Sequence, residues 1–298
     1  MTTTDRAEVF EALRPRLFGI GYRMTGSVAD GEDIAQEAWL RWQRSDDAEI
    51  ESPEGWLVRV ATNLAIDRSR AVQRRRETYV GPYLPEPLLG EPLSDGRPAS
   101  VDPAARSELA DSLTFAFLVL LDELDPTARA VFLLHDVFGY PFEQIAAMVG
   151  RTSAACRQIA SRTRRRLDHE RVELRRASEE HERRVVHELV GALFEGDLDR
   201  VLALLAPDVV QLDDGGPNRH AGRRPIVGPE RVARLLVNLS KRMPPAATID
   251  LVRVNDDPGI VVRVDGRPDV VITIGFAPDG RVRRIYSQLN PDKLAHLT

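Results

Sequence analysis

The sequence predicts a multidomain chain: two all-α domains, the second built on a helix-turn-helix, followed by an α+β domain. Three observations predict it. Apolar residues recur at helical spacing through residues 8–76 and again through 107–167. A proline- and glycine-rich stretch without periodicity, residues 79–103, separates those blocks. Beyond residue 178 the pattern changes to a few helices and then four β-rich runs, with tight Asp-Gly turns at Asp265-Gly266 and Asp279-Gly280. A chain of 298 residues can bury two or three cores. The expected boundaries are 1–78, a linker at 79–104, 105–172 and 173–298.

Each element has a local reason. Residues 8–44 carry Phe10, Leu13, Leu17 and Ile20, then Ile34, Ala38 and Leu40, at helical spacing, with a break at Thr25-Gly26-Ser27. Ser52-Pro53-Glu54 opens the next helix with an N-cap and a proline at its first position. It runs through Trp56, Leu57, Val60, Leu64 and Ile66 into an arginine cluster. After the linker, helices are expected at 107–124, 127–138 and 142–149, with Gly139-Tyr140-Pro141 and Gly150-Arg151 as turns. Thr152 can N-cap a helix reaching about residue 176. Helices at 179–195 and 198–205 follow, then a strand at 209–212, a Gly/Pro-rich loop and a helix at 229–241. Strands are expected at 248–255, 259–264, 270–276 and 281–289.

Composition excludes several classes. No apolar run approaches the roughly 20 residues that cross a bilayer, and the N-terminus lacks the basic-then-apolar pattern of a signal peptide. The expectation is a cytoplasmic protein with no membrane partner. The single cysteine, Cys156, excludes an internal disulfide and leaves no thiolate zinc framework. The six histidines include no pair at metal-helix spacing, so neither a metal nor a cofactor is expected. The net charge is −5, yet it is segregated. Residues 59–76 hold six arginines against Asp67 alone, and 151–176 hold nine arginines against three acids. The rest of the chain up to Gly150 is acidic. Such segregation suits contact with a polyanion on some faces and a basic partner on others, although a basic run is more often a solvated helix face.

Three motifs carry the chemistry. In residues 133–167 a short helix, a glycine turn and a longer basic helix make a helix-turn-helix. Ala154, Arg157, Gln158, Ser161 and Arg162 recur on one side near the start of the second helix, where arginine and glutamine can read guanine and adenine edges. Arg164, Arg165 and Arg166 suit phosphate contacts, and Ala146, Val149, Ile159 and Leu167 suit the core. An ordinary basic helical hairpin is the plain alternative. In the second motif, Asp30 to Glu37, the residues Asp33, Gln36 and Glu37 share one convex helix face, an acidic patch for a basic helical partner. In the third, Arg59, Asn63, Asp67 and Arg70 form one stripe behind Trp56, a set that can stack on and hydrogen-bond an unpaired base. Trp39, Trp42 and Trp56 read as core before contact.

The order of these motifs resembles the extracytoplasmic-function sigma factors over about residues 7–170. Asp30 to Glu37 resembles their region 2.2. Gly55-Trp56-Leu57-Val58-Arg59-Val60-Ala61-Thr62-Asn63 through Asp67-Arg68 resembles regions 2.3 and 2.4. Leu124-Asp125-Pro126 to Arg129, residues 131–139 and residues 157–167 resemble region 4. The resemblance implies an alternative sigma factor whose partners are core RNA polymerase and promoter DNA. Asp33, Gln36 and Glu37 would lie on the polymerase clamp helices, and Phe132 and Leu133 on the flap tip. Trp56, Arg59, Asn63, Asp67, Arg68 and Arg70 would serve the −10 element. Ala154, Arg157, Gln158, Ser161, Arg162, Arg164 and Arg165 would serve the −35 element.

The linker Tyr83-Leu84-Pro85-Glu86-Pro87-Leu88, the tail Asn290-Pro291-Asp292-Lys293-Leu294 and the α+β domain resemble the SigJ-type subgroup with a fused, cone-shaped SnoaL-like domain, in which Leu84 to Pro87 and Asn290 to Lys293 would make the regulatory contacts. Members typically carry an Asp-Gly-Gly-Gly-Lys loop; the chain reads Asp214-Gly215-Gly216-Pro217-Asn218-Arg219, with the third glycine and the lysine displaced or lost. The resemblance implies an in-cis regulator that packs on the sigma domains through the linker and the Asp214 loop, in place of a separate anti-sigma factor. Two alternatives stay open. The cone fold also hosts enzymes, and Asp208, Asp213, Asp214 and His220 could supply an acid–base pair; the domain could instead sense an unidentified small ligand. A free-standing helix-turn-helix regulator is the other.

Overall fold

The computed structural model describes residues 3–46, 50, 52–93, 114–171 and 178–297. They form two compact units: Met1–Thr78 with Leu118–Asp168, and Tyr79–Phe117 with His169–Thr298.

The first unit is all helix. It holds α1 (Thr3–Thr25), α2 (Val28–Arg44) and α3 (Pro53–Arg76). Ser27 caps α2 by accepting from the Asp30 amide, and Ser52 caps α3 by accepting from Gly55 N at 3.2 Å, with Pro53 at the first position as the sequence predicts. Leu17, Ile20, Met24, Ala38, Trp42, Leu57 and Ala61 interlock as the core. A large apolar side chain buried this completely contributes about 1.5–3 kcal/mol. The boundary between the units falls within α4 (Phe115–Asp122). Then come α5 (Pro126–Phe132), which runs on through a π-helical turn at Leu133–Val137, α6 (Phe142–Val149) and α7 (Ser153–Arg171). Gly150, at φ +64°, supplies the left-handed residue that ends α6 and turns the chain into α7.

The second unit sets α8 (Glu179–Glu195), α9 (Leu198–Leu204) and α10 (Pro229–Ser240) against a seven-stranded sheet. The strands are β1 (Leu89–Pro92), β2 (Leu205–Asp214), β3 (Ile226–Val227), β4 (Thr248–Val254), β5 (Asp257–Val264), β6 (Arg267–Phe276) and β7 (Val282–Gln288). Their order is β1-β4-β5-β6-β7-β2-β3, antiparallel throughout except for β2 beside β7. Val186, Leu189 and Val201 from the helices meet Val209, Ile260, Ile274 and Ile285 from the sheet in one core. A short helix, α11 (Pro291–Leu294), closes the unit, capped by the Asn290 side chain.

Three expectations are revised. The linker is not free of regular structure: Leu89 to Pro92 pair with β4 and cover what would otherwise be its open edge. The strand expected at 209–212 starts at Leu205, directly after α9, because an irregularity between Leu205 and Val210 lets it keep pairing with β7. The helix expected at 107–124 is helical from Phe115, with Thr114 Oγ1 accepting from Phe117 N at 3.2 Å. Its expected start, like the expected run of α7 to residue 176, lies outside the described residues.

Candidate nucleic-acid interface and linker dock

The first unit carries the residues singled out on α2, α3 and α7. On α2, Asp33 and Gln36 are exposed and Glu37 is half-buried, bonded to Arg41 Nε at 2.8 Å one turn on. On α3, the exposed side chains of Arg59, Asn63, Asp67 and Arg70 follow one another at three- and four-residue spacing, and Arg70 Nη1 lies 3.1 Å from Asp67 Oδ1. Arg68 leaves this stripe. It reaches back to α2, 3.3 Å from Asp30 and 3.5 Å from Asp33, and so ties the acidic face to the basic helix. Trp56 is half-buried with its ring 5.5 Å from that of Trp42, which is fully buried, while Trp39 packs on Phe10.

On α7 the apolar and small residues Cys156, Ala160, Thr163 and Leu167 face the core; burial pushes the Cys156 thiol above the usual range. Ile159 and Val149 are half-buried. Ala154, Arg157, Gln158, Ser161, Arg162, Arg165 and Arg166 are exposed. Thr152 Oγ1 accepts from Ala155 N at 3.1 Å and caps the helix. Acids of the same unit hold three of the arginines: Glu143 at 2.6 Å from Arg157, Asp136 at 2.6 Å from Arg164 and Glu123 at 2.9 Å from Arg166. Arg157 also lies over the Phe142 ring, 5.7 Å from its centre.

The same unit packs α4–α6 onto α1 and α3 through polar contacts that the sequence did not reveal. Arg129, 2 % exposed, donates to Met24 O and pairs with Asp122 at 2.9 Å; burial holds its guanidinium below the usual arginine range. Gln73 Nε2 donates to Leu124 O at 3.3 Å. The Tyr140 hydroxyl donates to Glu54 Oε1 at 2.7 Å and accepts from Arg16 Nη1 at 3.1 Å. Burial and that carboxylate push the Tyr140 phenol up to about 12. Phe132 and Leu133 are each 1 % exposed, so in this arrangement they belong to the core and are not presented at a surface.

In the second unit the linker, the Asp214 loop and the tail converge on one buried carboxylate. Asp214 is fully buried. It accepts from Tyr79 Oη at 2.5 Å, Leu84 N at 2.9 Å, Lys293 Nζ at 2.8 Å and its own loop's Gly216 N at 3.1 Å. Lys293 Nζ also donates to Leu84 O at 2.6 Å and sits 3.1 Å from the centre of the Tyr83 ring. Asn290 Nδ2 donates to Tyr79 Oη at 2.8 Å, and Gln288 Nε2 donates to Pro85 O at 3.1 Å. Burial, then the Asp214 carboxylate, hold the Tyr79 phenol far above the ordinary tyrosine range. Both loop glycines are required sterically. A Cβ on Gly216, at φ +61°, would stand 2.6 Å from Asn290 Nδ2, and one on Gly215 would stand 2.7 Å from Arg219 O.

Of the residues expected to act here, Leu84, Pro85, Asp214, Gly215, Gly216, Asn290 and Lys293 are brought together. Pro87 joins through its carbonyl, which accepts from His296 Nε2 at 2.8 Å. Glu86 is half-buried, and Pro291 and Asp292 are exposed on α11. Tyr83 lies in the expected linker motif, whereas Tyr79, Gln288 and His296 were missed. The Tyr-x-x-x-Tyr spacing ahead of that motif is the one sequence signal that could have found Tyr79. Farther along, Leu88 N and Asn255 Oδ1 (2.9 Å) and Phe115 N and Asp257 Oδ2 (2.8 Å) continue the attachment. Arg219, the basic residue of this loop, grips Asp269 through both nitrogens at 2.7 and 3.0 Å.

The Sigma-70 region 2 family model matches residues 9–76, and the Sigma-70 region 4 model matches residues 114–167. The chain is 38 % identical over 292 residues to the ECF RNA polymerase sigma factor SigJ of Mycobacterium tuberculosis, covering 95 % of this chain and 91 % of that one. The chain belongs to the ECF RNA polymerase sigma factor family. A probable ECF sigma factor of the same organism, SigI, is 30 % identical, with 96 % and 93 % of the two chains covered. The crystal structure of M. tuberculosis SigJ superposes with a TM-score of 0.73 at 35 % identity, covering 97 % of this chain and 98 % of that one. This sigma factor therefore has the expected class of fold: region 2 and region 4 helical domains followed by the SnoaL-like α+β domain. Its regions 2 and 4 are those through which a sigma factor binds core RNA polymerase and promoter DNA to direct initiation. Among the described residues, no helix is long and apolar enough to cross a membrane.

Proposed function

We propose that this sigma factor divides its work among three faces and controls them in cis through the linker dock. The acidic face of Asp33, Gln36 and Glu37 docks on polymerase, with Phe132 and Leu133 as a second contact once exposed. The α3 stripe from Trp56 to Arg70 holds the opened −10 strand, with Arg68 at its edge. The exposed side of α7, from Ala154 through Arg165, reads and grips the −35 element. Charge supports this division: acids on the protein-facing side, arginines on the faces offered to phosphate.

The observation that carries the regulatory part is the Asp214–Lys293 pair closed over Leu84. The linker is the stretch of chain between region 2 and region 4, and the dock holds it at residues 79–93 and again at Phe115. A free segment of that length could extend by about 3.3–3.6 Å per residue; a docked one cannot. Docking therefore restricts how far the two regions can separate, and it favours the packed arrangement in which Phe132 and Leu133 are core. Release favours an open form that fits polymerase. States separated by a few kcal/mol can be switched in this way.

The C-terminal domain acts in this reading as a regulator within the cytoplasmic transcription machinery, not as a catalyst. Two of the acids that could serve an enzyme are committed elsewhere: Asp208 pairs with Arg283 at 2.6 Å, and Asp214 holds the dock. Capture of core polymerase tests the first part. Asp33→Lys with Glu37→Lys should abolish capture while leaving the helical content intact; capture at the wild-type level would overturn the assignment of that face.

A further inference from the structure

Beside the dock, and sharing Gly215 and Gly216 with it, the second unit carries a partly open cavity of about 160 Å³. Its walls are Val80 and Gly81 of the linker, Asp213, and the loop from Gly215 to Arg223. A cavity of roughly this size holds benzene when its lining is apolar; this lining is polar.

Two features give the cavity a chemical preference. Asp213 is 7 % exposed, yet only its Oδ1 is engaged, accepting from Gln211 Nε2 at 2.8 Å. Its Oδ2 has no hydrogen-bond partner among the described residues and lies against Gly222, 3.0 Å from where a Cβ would stand. On an otherwise buried residue, that oxygen is the acceptor left open to the cavity, and a ligand's N–H or O–H can bond it in place of solvent. At the mouth, the exposed side chains of His220 and Arg223 make no hydrogen bond or ion pair among the described residues. Arg219, locked onto Asp269, closes one side. The cavity thus has an acceptor inside and a cation at its entrance.

We infer that this cavity binds a small molecule carrying a hydrogen-bond-donating head, hydroxyl or ammonium, and a carboxylate. The head bonds Asp213 Oδ2 and the carboxylate meets Arg223. Val80 and Gly81 adjoin Tyr79, so an occupied cavity would also hold the linker down; this last consequence rests on the regulatory reading above, while binding itself does not.

Titration calorimetry on the full chain tests the site with L-lactate, L-serine and L-threonine as probes, and with propionate and ethylamine as single-function controls. At least one bifunctional probe should bind, with each control weaker by roughly tenfold or more. Asp213→Asn and, separately, Arg223→Ala should each weaken that probe roughly tenfold. Arg223→Ala alters an exposed side chain and keeps the test valid if the buried variant misfolds. No heat from any bifunctional probe, or equal affinity for probe and controls, would overturn the inference. Because binding is measured without polymerase, a failure of linker control would leave this result standing, and the reverse.

Discussion

Lys293 Nζ stands 2.8 Å from Asp214 Oδ2 with the two side chains only 8 % and 0 % exposed, and the linker backbone at Leu84 bonds to both of them. Each charge is tolerable there only because the other is present. Lys293→Met should therefore destabilise the second unit by about 3–5 kcal/mol, the usual cost of leaving one buried charge unpaired. Urea unfolding measures that loss, and hydrogen exchange at the Leu84 and Leu88 amides should accelerate with it.

Alkaline pH should loosen both units, with different windows. Tyr79 and Tyr140 are held as protonated phenols, their folded-state values raised above the ordinary 10. A raised value means full stability below pH 10 and loss above it. For Tyr140 the loss should develop between 10 and about 12; for Tyr79 it should continue beyond. Tyr140→Phe and Tyr79→Phe should each remove their part of the slope in unfolding free energy measured from pH 8 upward.

The α7 arginines should separate by role. Arg157→Ala should cost about 1–3 kcal/mol in promoter binding by the holoenzyme and relax preference at one −35 position. Arg165→Ala should weaken all sequences alike and lower the salt dependence of binding by about one unit of slope. Binding across a salt series with a base-substituted −35 library distinguishes them.

Much of this was legible because helical spacing, caps and charge are local. Ser52-Pro53 opened α3, Thr152 capped α7 and the Asp-Gly pairs marked strand turns, since each acts within a few residues. The α3 stripe and the exposed side of α7 follow from periodicity alone. Contacts between distant residues were not legible. The burial of Arg129 against Met24 O and Asp122 joins elements far apart in the chain, and nothing in its local context distinguishes it from the solvent-facing arginines. Leu89–Pro92 became a strand only because β4 offered an edge, which no reading of an aperiodic linker supplies. The Asp-Gly-Gly loop was recognisable by resemblance, but its steric reason, Asn290 against Gly216, needed the fold.

Promoter-specific transcription with purified core polymerase tests the central claim most directly. The full chain would be compared with Lys293→Met and Asp214→Ala on a template that the holoenzyme selects from genomic fragments, with hydrogen exchange confirming that the linker is released. The account predicts more transcript from both variants than from the parent chain. Equal transcript from all three, with the linker demonstrably free, would contradict it.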